Sequence, residues 1–197
     1  MSGRRVVAAV AGAAVFFIWG WIYWGMLFAP MAKDRLINED QILETIKAGA
    51  PEEGAYLIPS PLSGDMKDPA YAAKHEAGPL VHIFLRKQGQ SPMDPAVMGM
   101  GFLHLVVAMG LALVLLSWSR CETYRGKVIF ISFVGLTASV LTEPGNAIWW
   151  FHPWCPVLRQ MGYDIVGWFL SGIVMARILP HGASCHHEGH DHPHAAA

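Results

Sequence analysis

A chain of 197 residues that is 53% hydrophobic and only 15% charged has too few polar side chains to cover a water-soluble globule. Its net charge of −1 leaves no electrostatic footprint for nucleic acid, and no basic cluster or DNA-binding motif is present. The apolar residues are gathered into four stretches, 6–29, 96–118, 128–151 and 165–179, the third of them interrupted by polar residues.

A helix needs about 20 mainly apolar residues to cross roughly 30 Å of hydrocarbon, and the first two stretches meet that unaided. Arg4 and Arg5 ahead of the first run give it the look of a signal peptide. The run is too long for that, and it ends in bulky Trp19, Trp21, Tyr23 and Trp24 rather than in small residues. Residues 1–30 therefore read as the N-terminus and a retained transmembrane helix 1, its aromatics forming an interfacial belt.

Residues 31–94 read as a small folded cap. Asn38 with Gln41 forms a capping pair ahead of Ile42, Leu43 and Ile46, and Gly49 and Pro51 stop that helix. Residues 55–59 read as a strand, Asp68-Pro69 starts a second helix that Gly78-Pro79 ends, and 80–86 alternates as a second strand. Two strands alone are marginal in water, so this α-β-α-β unit must lean on its helices, a membrane surface or a partner. The plain reading of the cap is a structural lid. Its histidines, His75 and His82, are either a ligand pair or loop residues without a role. Asp94-Pro95 then caps and opens transmembrane helix 2, residues 95–119.

The run Gly54-Ala55-Tyr56-Leu57-Ile58-Pro59, followed by Gly78-Pro79 and Met93-Asp94-Pro95, resembles a group of uncharacterised small bacterial polytopic membrane proteins. The resemblance covers about the first half of the chain. It implies an architecture and no activity, and it carries over no functional residue.

A link, 120–127, with Arg120, Arg125 and Lys127, leads to transmembrane helix 3, residues 128–151. Its uninterrupted part, 128–141, would rise only about 21 Å, so the insert Thr142-Glu143-Pro144-Gly145-Asn146 must lie within the membrane's thickness. Pro144 removes the hydrogen bond to the Val140 carbonyl and predicts a kink, and Thr142, Asn146 or a water is the natural replacement donor. Ser132, Ser139, Glu143 and Asn146 share one helix face, a polar seam of the kind that faces a bundle. Counted from the helix ends, Glu143 and His104 sit at matching depths of roughly 12–14 Å, which makes them a candidate intramembrane pair. The alternatives are a neutral Glu143, or one that reaches the headgroups, and a His104 bonded to a carbonyl. Met100, one turn from His104, also permits a soft-metal or haem ligation reading.

In the expected outer loop, 152–162, His152 and Cys155 supply half of a metal site, whereas a closed site takes about four ligands. Trp149, Trp150 and Trp154 read as interfacial anchors. Transmembrane helix 4, residues 163–179, is followed by a His-rich tail, 180–197, in which Cys185, His186, His187, His190, His192 and His194 are candidate ligands for zinc, nickel or copper. The plainer alternative is a solvated tail with incidental affinity.

Short basic segments stay on the cytoplasmic side. Arg4, Arg5, Arg120, Arg125, Lys127 and Arg177 therefore predict four spans with both termini cytoplasmic in a bacterial inner membrane. Cys121 and Cys185 then lie on the opposite side from Cys155, and no intrachain disulfide is expected. The fold class is an all-α membrane protein: a four-transmembrane-helix bundle with a small α+β extracytoplasmic cap between helices 1 and 2. No nucleotide loop, acid/base pair or nucleophile arrangement is visible. Small residues recur at four-residue spacing in Ala8/Gly12, Ala9/Ala13, Ala108/Ala112 and Gly167/Ser171. The expected partners are the lipid bilayer and other membrane-protein subunits, with the chain an accessory, assembly or structural subunit of a larger complex. The rival readings are a metal-handling membrane protein with a chelating tail, and a membrane-embedded redox or metal-dependent enzyme using His104, Glu143 and His152.

Overall fold

The computed structural model describes residues 3–28, 36–61 and 66–180. Helix α1 (Gly3–Gly20) continues into a π-helical segment, Trp21–Phe28. After it come α2 (Glu39–Gly49), β1 (Gly54–Ile58), α3 (Pro69–Ala77) and β2 (Val81–Leu85), and then three long helices, α4 (Pro95–Trp118), α5 (Tyr124–Trp150) and α6 (Trp154–Ile178). The spans 3–28, 95–118, 124–150 and 154–178 are four helices long and apolar enough to cross a membrane.

The strands β1 and β2 pair antiparallel, with Gly54 opposite Leu85, Tyr56 opposite Ile83 and Ile58 opposite Val81. Asp68 caps α3 by accepting from the Ala70 amide at 2.9 Å, with Pro69 in the first turn, and Asp94 caps α4 in the same way at 2.8 Å. Asn38 departs from expectation. Its backbone is left-handed (φ 59°) and its side chain makes no capping bond; the start of α2 instead carries Glu39 and Asp40, whose charges suit the positive end of a helix dipole.

Lipid tails provide no hydrophobic drive between helices, so close packing must hold a bundle together, and glycine, alanine and serine permit it. Helix α1 packs against α4 and α6, and α6 packs against α5; α4 and α5, although consecutive, meet only slightly. Ala8, Ala9, Gly12 and Ala13 are buried on α1, and the Ser171 hydroxyl of α6, fully buried, donates to the Gly12 carbonyl at 2.9 Å. Gly167 lies under the Phe16 ring and Gly135 under Trp168, so closely that a Cβ at either would overlap the ring. Of the small residues read from the sequence, Ala112 is buried and Ala108 only partly so.

The main core, including Ala13, Met109, Leu113, Ile131 and Met175, occupies the end of the bundle where α1 and α5 begin and α4 and α6 finish. There Lys127 is buried rather than displayed. Its ammonium donates to the Glu122 carbonyl and, at 2.9 Å, to the Pro180 carbonyl just past α6, where a cation also complements the helix dipole. The opposite half is held by aromatics. Trp19 donates to the Tyr163 carbonyl at 3.0 Å and Tyr23 to the Arg159 carbonyl at 2.7 Å, so part of the expected belt is turned inward onto α6, while Trp21 and Trp24 stay exposed.

Two boundaries differ from the sequence reading. Helix α5 begins at Tyr124, where the Thr123 hydroxyl accepts from Gly126 at 3.0 Å, and it remains helical through Pro144 and Gly145. Helix α6 begins at Trp154 rather than at 163, because Pro156 falls in its first turn, where a missing N–H costs nothing. The connection between α5 and α6 is therefore only residues 151–153.

Candidate functional site

The polar residues of α5 have different fates. Ser132 bonds back to the Val128 carbonyl at 2.8 Å and exposed Thr142 to the Ala138 carbonyl at 2.9 Å, so Thr142 does not serve the Val140 carbonyl that Pro144 strands. Ser139 is 2% exposed and its hydroxyl makes no well-formed hydrogen bond among the described residues. The polar group it faces is the carboxyl of Asp164 on α6. Gln160 donates to Asp164 at 3.2 Å from one turn earlier, and half-buried Glu143 lies in the same neighbourhood. Asn146 is half-buried, and its backbone carbonyl accepts the His152 amide at 3.2 Å.

His104 is exposed on α4 and lines a lateral cavity of about 430 Å³. Phe16 and Phe17 of α1 and Trp168 of α6 form its apolar wall, and Gln160 and Asp164 place polar groups opposite His104. The cavity exists because α1 touches both α4 and α6 while α4 and α5 barely meet. Among the described residues no hydrogen bond or ion pair joins His104 to Glu143, and the acid that shares a cavity with His104 is Asp164. Met100 is 65% exposed and does not line that cavity.

Asp164 escaped the sequence reading because it fell in the first turn of a helix placed at 163–179, where an acid looks interfacial. With α6 starting at Trp154 it lies about 15 Å along the helix, close to the depth of His104. The usable signal was the i, i+4 pair Gln160 and Asp164 on an otherwise apolar helix.

A second group lies where the cap meets the bundle. His152 turns toward β2, and its ring centre is 5.5 Å from that of His82. His82 also stands edge-on to Trp150 at 5.7 Å, and His75 to Phe151 at 5.3 Å. Cys155 is exposed and accepts from Arg159 at 3.3 Å. Among the described residues no group of three or more His, Cys, Asp or Glu side chains gathers as a metal site. The tail candidates Cys185, His186, His187, His190, His192 and His194 lie outside the described residues.

The lateral cavity can hold a hydrogen-bonding group between an imidazole, an amide and a carboxyl, against an aromatic wall. The chain matches no protein-family model, no curated protein and no solved structure.

Proposed function

We propose that the chain is a small integral subunit of a bacterial inner membrane, with both termini cytoplasmic. Its role is accessory, assembly or structural: it receives a membrane helix of a larger complex at the His104–Gln160–Asp164 cavity. The observation that carries this reading is a largely apolar cavity between apolar helices into which His104, Gln160 and Asp164 bring polar groups. Acyl chains offer no hydrogen bonds, so such groups left against hydrocarbon are costly, whereas a helix bearing Ser, Thr, Asn or Gln satisfies them. Gly101 on the rim has nothing within 4 Å of a built Cβ, which leaves room for close helix approach. The orientation rests on the basic residues at one end of the bundle, where Arg177 also lies over the Tyr124 ring at 5.7 Å.

The test is purification in mild detergent of the wild type and of Gly101→Leu, which adds bulk at a position where a Cβ meets nothing within 4 Å. A membrane polypeptide in stoichiometric amount with the wild type, and at least tenfold depleted with the variant, is expected. A wild type that elutes alone, or a partner retained undiminished by Gly101→Leu, removes the reading. A chain that retains only copies of itself replaces the foreign helix with a homodimer.

A second reading, metal handling, draws on the C-terminal composition. Imidazoles and a thiol at Cys185, His186, His187, His190, His192 and His194 suit zinc, nickel or copper.

A further inference from the structure

We propose that His82 and His152 form a two-imidazole site for one divalent ion of the zinc, copper or nickel class, and that this ion ties the cap to the α5–α6 turn. The proposal deepens the metal-handling reading but does not need the tail.

The two histidines lie far apart in sequence, and separate local devices aim them at each other. His82 is the second residue of β2, opposite Leu57, so strand register fixes which face of the ribbon carries it. Helix α5 ends with Phe151 in the left-handed region (φ 56°), and the His152 amide closes back onto the Asn146 carbonyl at 3.2 Å. Pro153 restricts His152 to extended backbone, which directs it off the helix axis toward the cap. Both residues are half-buried.

Their ring centres are 5.5 Å apart and the ring planes stand at 87°. That separation, which also suits an edge-on ring contact, is within reach of shared ligation. A metal–nitrogen bond of about 2.0–2.1 Å plus about 1.1 Å from nitrogen to ring centre places each centre roughly 3.2 Å from the ion, and a tetrahedral angle then separates the centres by roughly 5.2 Å. Imidazole nitrogen favours zinc, copper and nickel over magnesium or calcium, which take oxygen. Trp150, edge-on to His82, walls one side. On another side of His82 is a cavity of about 120 Å³, lined mostly by apolar side chains such as Leu57 and Val81 with Tyr71 and His75 among them, which is large enough to admit water. No third His, Cys, Asp or Glu joins the pair among the described residues. The remaining positions therefore fall to water, and the site is open and exchangeable rather than closed and structural.

Ring contacts of His75 and His82 with Trp150, Phe151 and His152 are where the cap leans on the bundle. An ion held by both His82 and His152 converts that contact into a coordinate bridge, so metal occupancy becomes coupled to cap docking.

The test follows histidine carbethoxylation by diethyl pyrocarbonate on the full chain in detergent, read residue by residue by mass spectrometry, without zinc and with zinc in excess of all histidines. Zinc is expected to slow modification at His82 and His152 at least tenfold and to leave His75 unchanged. His152→Gln should return His82 to its zinc-free rate, and His82→Gln should do the same for His152. No slowing at either residue of the wild type overturns the site, and that measurement stands even if a variant fails to fold. Slowing at His82 that survives His152→Gln also overturns it, since the two residues would then bind separately. The tail histidines report on the metal-handling reading independently: their protection without that of the cap pair sinks this site alone, and the reverse pattern sinks the chelating tail alone.

Discussion

Replacing Gly135 by alanine tests the tightest helix contact in the bundle. A Cβ there would lie 2.0 Å from Cγ of Trp168 and 2.4 Å from its Cβ and Cδ1, where carbon atoms need about 3.5–4.0 Å. Rotating the indole cannot relieve this, because the Trp168 Cβ is fixed to the backbone of α6. The two helices must separate by about 1 Å or slide. Overpacking of this kind costs about 1–3 kcal/mol, and a clash at the root of a side chain belongs at the upper end. Alanine returns about 1 kcal/mol of helix propensity, for a net loss of about 2 kcal/mol. Gly145→Ala is the matched control: it makes the same chemical change on the same helix, where a Cβ meets nothing within 4 Å. Its stability should hold or rise by up to about 1 kcal/mol. The two variants should then differ by about 3 kcal/mol, roughly 6–12 °C in melting temperature for a chain of this size. Scanning fluorimetry in one detergent measures the difference. If Gly135→Ala melts at or above Gly145→Ala, the α5–α6 contact at Trp168 is not as described.

Ser171→Ala should cost about 0.6–1 kcal/mol by the same assay, since it removes the bond to Gly12 while that carbonyl keeps its helical donor. Ser139→Ala removes a buried hydroxyl that faces the Asp164 carboxyl without a well-formed bond, and should change the melting temperature less than Ser171→Ala does. The Asp94 carboxyl is held below its ordinary value of 3.8 by the Gln90 amide and then by the Ala96 N–H. A depressed carboxylate stabilises the fold above its unfolded value and loses that contribution as pH falls through the folded one. Amide-exchange protection over 96–98 should therefore fall as pH drops below about 3.8 in the wild type, and be flat over that range in Asp94→Asn. Truncation after Pro180 should leave membrane yield unchanged and lower the zinc bound per protein; equal zinc in both forms removes the tail from the metal argument.

The four long helices were legible because a span needs an apolar run, and runs are visible without knowing any contact. The Asp68-Pro69 and Asp94-Pro95 caps were legible for the same reason: their donors and acceptors lie within two residues of each other. Asn38 misled because its side chain has the right chemistry but its backbone is left-handed. Pro153 and Pro156 looked like loop residues, which moved the start of α6 inward and hid Asp164. Of the residues that line the lateral cavity, composition and depth singled out only His104. Its companion depended on α1 lying between α4 and α6, an arrangement that no local pattern encodes. The approach of His82 to His152 was hidden for the same reason, since strand register and a helix terminus had to be combined across a long stretch of chain.

The bond between Ser171 and Gly12 joins residues 159 positions apart. A ribosome adds about 5–20 residues per second, so α6 is made roughly 8–30 s after α1. Throughout that interval the Ala9–Gly12–Ala13 face of the first helix waits in the bilayer without its final neighbour. It is then a surface of small residues that any other inserted helix can approach closely. The first helix made is thus among the last to be sealed, and a chain arrested before α6 presents an open docking stripe rather than three quarters of a finished bundle.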